Sequence, residues 1–269
     1  MILAILQARL SSTRLPGKVL KPLLGEPMLG RQIDRLSRCK GFDRLVVATS
    51  TDPSDDALEQ FCRQMGTECF RGSLNDVLDR FYQAALPYAP EHVVRLTGDC
   101  PLIDPEVVDR VIEYHVEGGY DYSSNTIDPT FPDGLDVEVF RFDALDRAWQ
   151  KAELPSAREH VTIYMYKNPE MFRLGSYQGA NDLSKLRWTV DEPDDLALVE
   201  AIYSALYPLN PCFSTGDILA YLAKTPELLE GNQTPARNEG LKKSVEKDNI
   251  YLQERGARCQ SVITSRRRC

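Results

Sequence analysis

Arg9, Ser11, Ser12, Thr13, Arg14, Gly17 and Lys18 fall within one ten-residue stretch. Three cations, three hydroxyls and a glycine packed so closely suit a polyanion. A nucleoside triphosphate needs donors on many phosphate oxygens, cations to offset its charge, and a glycine that lets backbone N–H groups come close. The stretch is not a Walker A loop: Gly17-Lys18 is followed by Val19, and the G-x-x-x-x-G-K-[ST] spacing is absent. Two aspartates complement it. Asp99 follows the apolar run Val93-Val94-Arg95-Leu96-Thr97 and Gly98, and Asp191 follows Leu186-Arg187-Trp188-Thr189-Val190. Both runs read as strands, and in open α/β sheets the carboxyl ends of strands are where ligands bind. If those ends are neighbours, Asp99 and Asp191 form a magnesium site, because that ion takes one or two carboxylates, waters and substrate phosphate oxygens. The competing reading makes Asp191 a cap for the helix that begins near Pro193, and Asp99 a stabiliser of the turn before Pro101. Asp194 and Asp195 read as first-turn acids that complement the helix dipole.

The elements that must carry these residues follow from the apolar runs. Met1–Leu6 and Arg44–Thr49 read as buried strands, Glu68–Arg71 as a short third and Val93–Thr97 as a fourth. Helices are expected over Met28–Cys39, from the Asp55-Asp56 turn to near Gly66, over Asn75–Leu86 with Ser73 as cap, and from Pro105. Alternating strands and helices imply a mainly parallel sheet covered on both faces, hence an α/β fold. Further on, Tyr120–Asn125, Val137–Phe140, Phe172–Tyr177 and Leu186–Val190 look extended. Ala144–Lys151, Pro155–Lys167, Pro193–Tyr207 and Thr215–Lys224 look helical. Gly231–Pro235 breaks the pattern. Residues 1–230 read as one domain and 231–269 as an extension, helical over Arg237–Arg255 and mobile at its end.

Composition narrows the function. The 269 residues are 42% hydrophobic and 27% charged, ordinary for a soluble globular protein. A net charge of −8 argues against a nucleic-acid surface, which needs a basic face. No apolar run spans a bilayer, and the opening strand has no basic leader before it, which argues against a membrane or secretory protein. Seven scattered cysteines without a C-x-x-C pair, and three dispersed histidines, point to a reducing cytoplasm and away from zinc.

Other residues suit a nucleotide and an acceptor. Arg71, Ser73 and Arg80 flank the third strand and the next helix, where a base fits. Taken alone, Ser73 reads as a helix cap before it reads as a base contact. Tyr122-Ser123-Ser124-Asn125 and Asp136-Val137-Glu138 are expected beside the sheet edge, which puts Asn125 and Glu138 near an acceptor. Arg158 suits a carboxylate held bidentately, or a surface pair with Glu159.

The strings A-R-L-S-S-T-R-L-P-G-K, G-E-P-M-L, R-L-T-G-D-C-P-L-I-D, P-D-G-L-D-V-E-V-F, R-E-H-V-T and L-R-W-T-V-D-E-P-D-D-L resemble the CMP-sugar synthetases. These are the cytidylyltransferases for acylneuraminate and 3-deoxy-manno-octulosonate, and the spore-coat polysaccharide (SpsF-like) subgroup is the nearest. The resemblance runs from Met1 to about Lys247 and includes Arg237-Asn238-Glu239-Gly240. It implies a Rossmann-like, three-layer nucleotide-diphospho-sugar transferase fold with a mainly parallel mixed sheet. It also implies CTP and a sugar or sugar acid as substrates, pyrophosphate release, magnesium and a homodimer. By the same resemblance Ala8, Arg9, Ser12, Arg14 and Lys18 would hold the triphosphate and Asp99 and Asp191 the metal. His160 would face the sugar, although Thr162 stands where the octulosonate enzymes have glycine.

In chemical terms, Lys18, Arg9 and the Asp99 metal site would be the catalytic groups of such a transfer, neutralising the departing pyrophosphate and activating the hydroxyl. The rival reading is a nucleotide-sugar-dependent glycosyltransferase with Asp136-Val137-Glu138 in place of Asp-x-Asp. The Arg/Lys loop favours a triphosphate over that. A non-catalytic nucleotide-binding module would not need both acids and all the cations.

Overall fold

The structure, a computed structural model, describes residues 1–229 and 244–253. β1 (Ile2–Gln7) runs into the basic loop, and a small hairpin of β2 (Pro22–Leu23) and β3 (Glu26–Pro27) follows. Then come α1 (Met28–Leu36), β4 (Arg44–Ser50), α2 (Asp56–Gln64), β5 (Glu68–Gly72), α3 (Val77–Ala85) and β6 (His92–Thr97). α4 (Pro105–Gly118), β7 (Tyr122–Ser124), β8 (Glu138–Arg141), α5 (Phe142–Lys151), α6 (Pro155–Glu159) and α7 (Ile163–Tyr166) continue the chain. β9 (Leu174–Ser176), α8 (Pro193–Leu206) and α9 (Thr215–Leu222) complete the main body, and residues 244–253 form a further helix.

The main sheet has the order β5-β4-β1-β6-β8-β7-β9. β5, β4, β1 and β6 are parallel, and β8 runs against both its neighbours, β6 and β7. Side chains alternate across this sheet as the pleat demands. Ala4, Leu6, Val94 and Leu96 pack with α1, α4, α8 and α9 on one face. Leu3, Ile5, Val46 and Val93 pack with α3, α5, α6 and α7 on the other. The result is the expected α/β, three-layer Rossmann-like arrangement with a mainly parallel mixed sheet. Among the described residues no helix is long and apolar enough to cross a membrane.

Three local readings are corrected. Leu186–Val190 is not a strand: apart from a single bridge between Asp133 and Arg187, its N–H groups go to isolated carbonyls rather than to a ladder. Trp188 N and Thr189 N both donate to Asp133 O, at 2.6 and 3.0 Å. Gly134 makes this close approach possible. Its φ of +111° suits glycine, and a Cβ there would lie 2.6 Å from Thr189 N. The helix expected over Pro155–Lys167 is two short helices, split at Val161. That residue is buried at φ +57°, a strained setting for a β-branched side chain. Finally, α3 is capped by Asp76, whose Oδ1 accepts from Asp79 N at 2.9 Å. Ser73 sits one turn earlier, accepting from Asp76 N. The expectations for 230–243 and 254–269, including the Gly231–Pro235 break, the Arg237–Gly240 string and the mobile end, lie outside the described residues.

Candidate active site

The basic loop is held at both ends by buried groups. Asp55, read from sequence as a first-turn acid, is completely buried and accepts from Leu10 N at 2.7 Å and from Ser50 N at 3.1 Å. One carboxylate thus ties the start of the loop to the end of β4. Farther along, Ser12 Oγ accepts from Leu15 N, and Gly17 takes the left-handed conformation, φ +67°, that lets the chain turn into a single 3-10 turn at Lys18. Ala8 donates its own N–H to Ala48 O, so it offers the site only a small side chain. Its smallness has a use. A Cβ on Gly98 would stand 2.9 Å from the Ala8 Cβ, so the exits of β1 and β6 lie in contact.

That contact brings Asp99 to the loop. Lys18 Nζ donates to Asp99 Oδ2 and Asp191 Oδ1, each at 2.9 Å, and to Val190 O at 2.8 Å. The two acids therefore meet around one cation. Asp191 reaches this point because Val190 N donates to Asp99 O at 2.8 Å, not because a strand ends there. Nor is Asp191 the helix cap. Glu192 is the N-cap of α8, and Asp195, read as a dipole-complementing acid, is buried and accepts from the N–H groups of Asp191 and Glu192. Arg187 clamps the same turn, bonding Asp133, Asp191 and Asp195, and Arg14 pairs with Asp191 at 2.8 Å. Burial opposes ionisation of Asp99, but the Lys18 charge prevails and holds its carboxyl well below the usual range. Likewise burial works against the Lys18 ammonium, and the two aspartates more than restore it, raising its pKa. With Arg9, Ser11–Arg14 and Gly98 these groups line a cavity of about 280 Å³.

Two more cavities continue from it. One, of about 430 Å³, shares Gln7 and Arg9 with the first and extends past Ser73, Asp76 and Arg80 to Arg158 and His160. Arg80 is completely buried there. Its Nη1 donates to Ser73 O, while Nε and Nη2 have no hydrogen-bond partner among the described residues. Burial, aided by the nearby Arg9 and Arg95 charges, lowers its pKa to about 10. Such a group is ready for acceptor atoms on a ligand, since an unmet buried N–H is costly. The other cavity, about 470 Å³, is lined by Arg95, Thr97, Tyr122, Asp136, Glu138, His160 and Thr162 among others. The three volumes form one cleft along the carboxyl edge of β1 and β6.

Comparison with known proteins agrees with this geometry. Residues 3–205 match the sequence model of the family described as Cytidylyltransferase. The chain belongs to the cytidylyltransferase family. It is 34% identical over 238 residues to the spore coat polysaccharide biosynthesis protein SpsF of Bacillus subtilis, covering 84% of this chain and 95% of that one. It is 30% identical to the 3-deoxy-manno-octulosonate cytidylyltransferase of Anaeromyxobacter sp. (strain K), covering 76% and 98% of the two chains. A solved cytidylyltransferase structure from Leptospira borgpetersenii superposes with a TM-score of 0.81 at 34% identity, covering 87% of this chain and 98% of that one.

Within this cytidylyltransferase the acceptor-side expectations need revision. Asn125 is completely buried, and its amide serves the backbone: Nδ2 donates to Leu135 O at 2.7 Å and Oδ1 accepts from Val137 N at 2.9 Å. It shapes the wall and is not available to a sugar. Arg158 lies in the second cavity, not the third. Its partner is Asp76 rather than Glu159, with Nε–Oδ2 at 2.9 Å and Nη2–Oδ2 at 2.6 Å. Glu138 does line the third cavity, but Tyr122 and Thr162 donate to its Oε1 and Arg95 binds its Oε2. Both of its oxygens are thus taken up by the wall of the cavity itself. His160 stands where the second and third cavities join. Burial lowers its pKa, so the imidazole is neutral near pH 7. The kink at Val161 turns both His160 and Thr162 onto the cleft. Gln7, Arg95 and Asp55 were missed from sequence. A polar or charged residue inside an apolar strand, as at Gln7 and Arg95, was the one available signal.

Proposed function

We propose that this cytidylyltransferase joins the CMP unit of CTP to a hydroxyl of an acceptor sugar and releases pyrophosphate. The observation that carries this reading is the Lys18 ammonium, shared by Asp99 and Asp191 beneath a loop bearing Arg9 and Arg14. Two carboxylates around one cation, with further cations alongside, suit a metal-bound triphosphate. Asp99 and Asp191 would hold a divalent cation such as magnesium, with phosphate oxygens and waters filling its shell, since two carboxylates suffice for that ion. When bound, the ion lowers the pKa of the attacking hydroxyl and offsets phosphate charge.

The residues divide the remaining work. Arg9, Ser12, Arg14 and Lys18 grip the triphosphate, with Ala8 leaving room for it, and Ser73 and Arg80 border the base. The acceptor oxygen attacks the α-phosphorus, the bond from that phosphorus to the bridging oxygen breaks, and the hydroxyl proton passes to water. Lys18 and Arg9 neutralise charge on the departing pyrophosphate, so positioning and electrostatics supply the acceleration. The relatives support a sugar acid as acceptor, next to Glu138, His160 and the Arg95 edge, with the product used for surface polysaccharide. A homodimer in the cytoplasm completes the reading.

A second reading of the acceptor rests on the Arg95–Glu138 pair. With that guanidinium engaged and Asp136 on the same wall, a neutral or amino sugar fits as well. The deciding assay scores pyrophosphate from each nucleoside triphosphate against sugar acids, neutral sugars and amino sugars. CTP with a sugar acid is the expected pair. Turnover of neutral or amino sugars alone selects the second reading, and selective use of another nucleotide rejects both.

A further inference from the structure

The helix at residues 244–253 is seated on α6 through one face. Ser244, Lys247 and Asp248 are spaced i, i+3 and i+4, so they share that face. α6 starts at Pro155 behind Leu154, a residue with no side-chain acceptor for the first N–H groups. Asp248 supplies it from far along the chain. Its Oδ1 accepts from Ser156 N at 2.8 Å and its Oδ2 from Ser156 Oγ at 2.5 Å. At the other end of α6, Ser244 Oγ is 2.8 Å from His160 Nε2 and donates to Glu159 Oε2 at 3.0 Å. Lys247 Nζ donates to the same Glu159 oxygen at 3.0 Å. Ser244 and Asp248 are buried by this docking although both are polar. Lys247 itself lines the 430 Å³ cavity together with Arg9, Arg80, Arg95 and Arg158. Against those cations the same wall carries the acids Asp76 and Glu159. The cavity thus holds a surplus of positive charge, and Lys247 adds to it from outside the matched family region, which ends at residue 205.

We propose that the 244–253 helix is a wall of the nucleotide cavity and that Lys247 is a binding residue for the triphosphate substrate. Its ammonium exchanges Glu159 for an oxygen of the bound nucleotide, while Ser244 and Asp248 fix His160 and α6 around the ligand. The proposal rests on the cytidylyl-transfer reading, and its test separates the two. CTP binding in the presence of magnesium is measured by calorimetry for the full chain, for Lys247→Ala, for Lys247→Arg and for Asp248→Asn. Wild type binds CTP, Lys247→Ala weakens that binding by about three- to five-fold, as loss of one exposed charged contact does, and Lys247→Arg restores most of it. Asp248→Asn also weakens CTP binding, by releasing the helix from α6. Because Lys247 is solvent-facing on one side, its substitution leaves the fold intact, which circular dichroism verifies. Unaltered CTP affinity in folded Lys247→Ala overturns the proposal. A folded wild type that does not bind CTP overturns the cytidylyl-transfer reading beneath it.

Discussion

Replacing Lys18 with methionine isolates the central electrostatic arrangement. The side chain is 10% exposed, and its ammonium is the shared partner of Asp99 and Asp191. A unit charge pair near a protein surface is worth about 4 kcal/mol at about 4 Å. The carboxylate side chains are 27% and 19% exposed and Arg14 and Arg187 still neutralise Asp191, which discounts that figure. We expect a loss of about 3 kcal/mol at pH 7, the low end of the range for breaking a buried pair, seen as a fall in Tm of roughly 6–12 °C. The pH dependence has a definite sign. In wild type the folded Asp99 carboxyl titrates below its ordinary value of 3.8, so its stabilisation is complete above that value and drains away as pH falls through it. In Lys18→Met the acids face each other without the ammonium, their affinity for protons rises, and the stability gap to wild type narrows between pH 7 and pH 4. Millimolar magnesium should raise the Tm of the variant more than that of wild type. Thermal melts at three pH values, with and without magnesium, make the comparison. A wild-type Tm, or a deficit that stays constant with pH, would refute the reasoning.

Three further outcomes are expected. His115 is buried against His92 and Ser123, and burial lowers its pKa to about 3. Unfolded His115 takes up a proton near 6.5 and the folded one does not, so stability falls with pH by about 1.4 kcal/mol between 7.5 and 5.5; urea titrations of wild type and His115→Gln test this, the variant showing the flatter profile. Asn125→Ala strips partners from Leu135 O and Val137 N and should cost about 2–4 kcal/mol, while the KM for the acceptor sugar in surviving folded protein stays within about two-fold; a large change in that KM with unaltered stability would return Asn125 to the sugar. Gly98→Ala forces its Cβ against Ala8 and Gln7 O, at 2.9 and 3.1 Å, and should lower kcat at least about ten-fold by parting Asp99 from the loop; normal pyrophosphate release would show that the approach is not needed.

Much of the site was legible because it sits next to strong local signals. The apolar run of β1 followed by clustered cations and Gly17 marks a strand emptying into an anion-binding loop, and Thr97-Gly98-Asp99 marks a second strand end. Asp191 was assigned to the right place on a mistaken premise. Alternating hydrophobic residues at Leu186, Trp188 and Val190 imitate a strand, but their N–H groups go to Leu183 O, Asp133 O and Asp99 O in turn. The misread residues share one cause. Asn125, Arg158 and Asp55 carry groups that bond as readily to the protein's own backbone or carboxylates as to a ligand, and local sequence does not choose between those partners.

By itself the sequence determined the periodic strands and helices, hence the parallel sheet, and the chemistry of the loop and its two acids. Those follow from properties of neighbouring residues: pleat alternation, helix caps, the left-handed turn that Gly17 allows and the missing side chain of Gly98. Only the tertiary structure decided which groups remain available. Folding brought Lys18 between Asp99 and Asp191, left Arg80 with N–H groups unmet among the described residues, closed Asn125 onto the backbone, and carried Lys247 to the far wall. Hydrogen bonds and charges act over a few ångströms regardless of separation along the chain, so partners 81 or 173 residues apart are settled by packing alone.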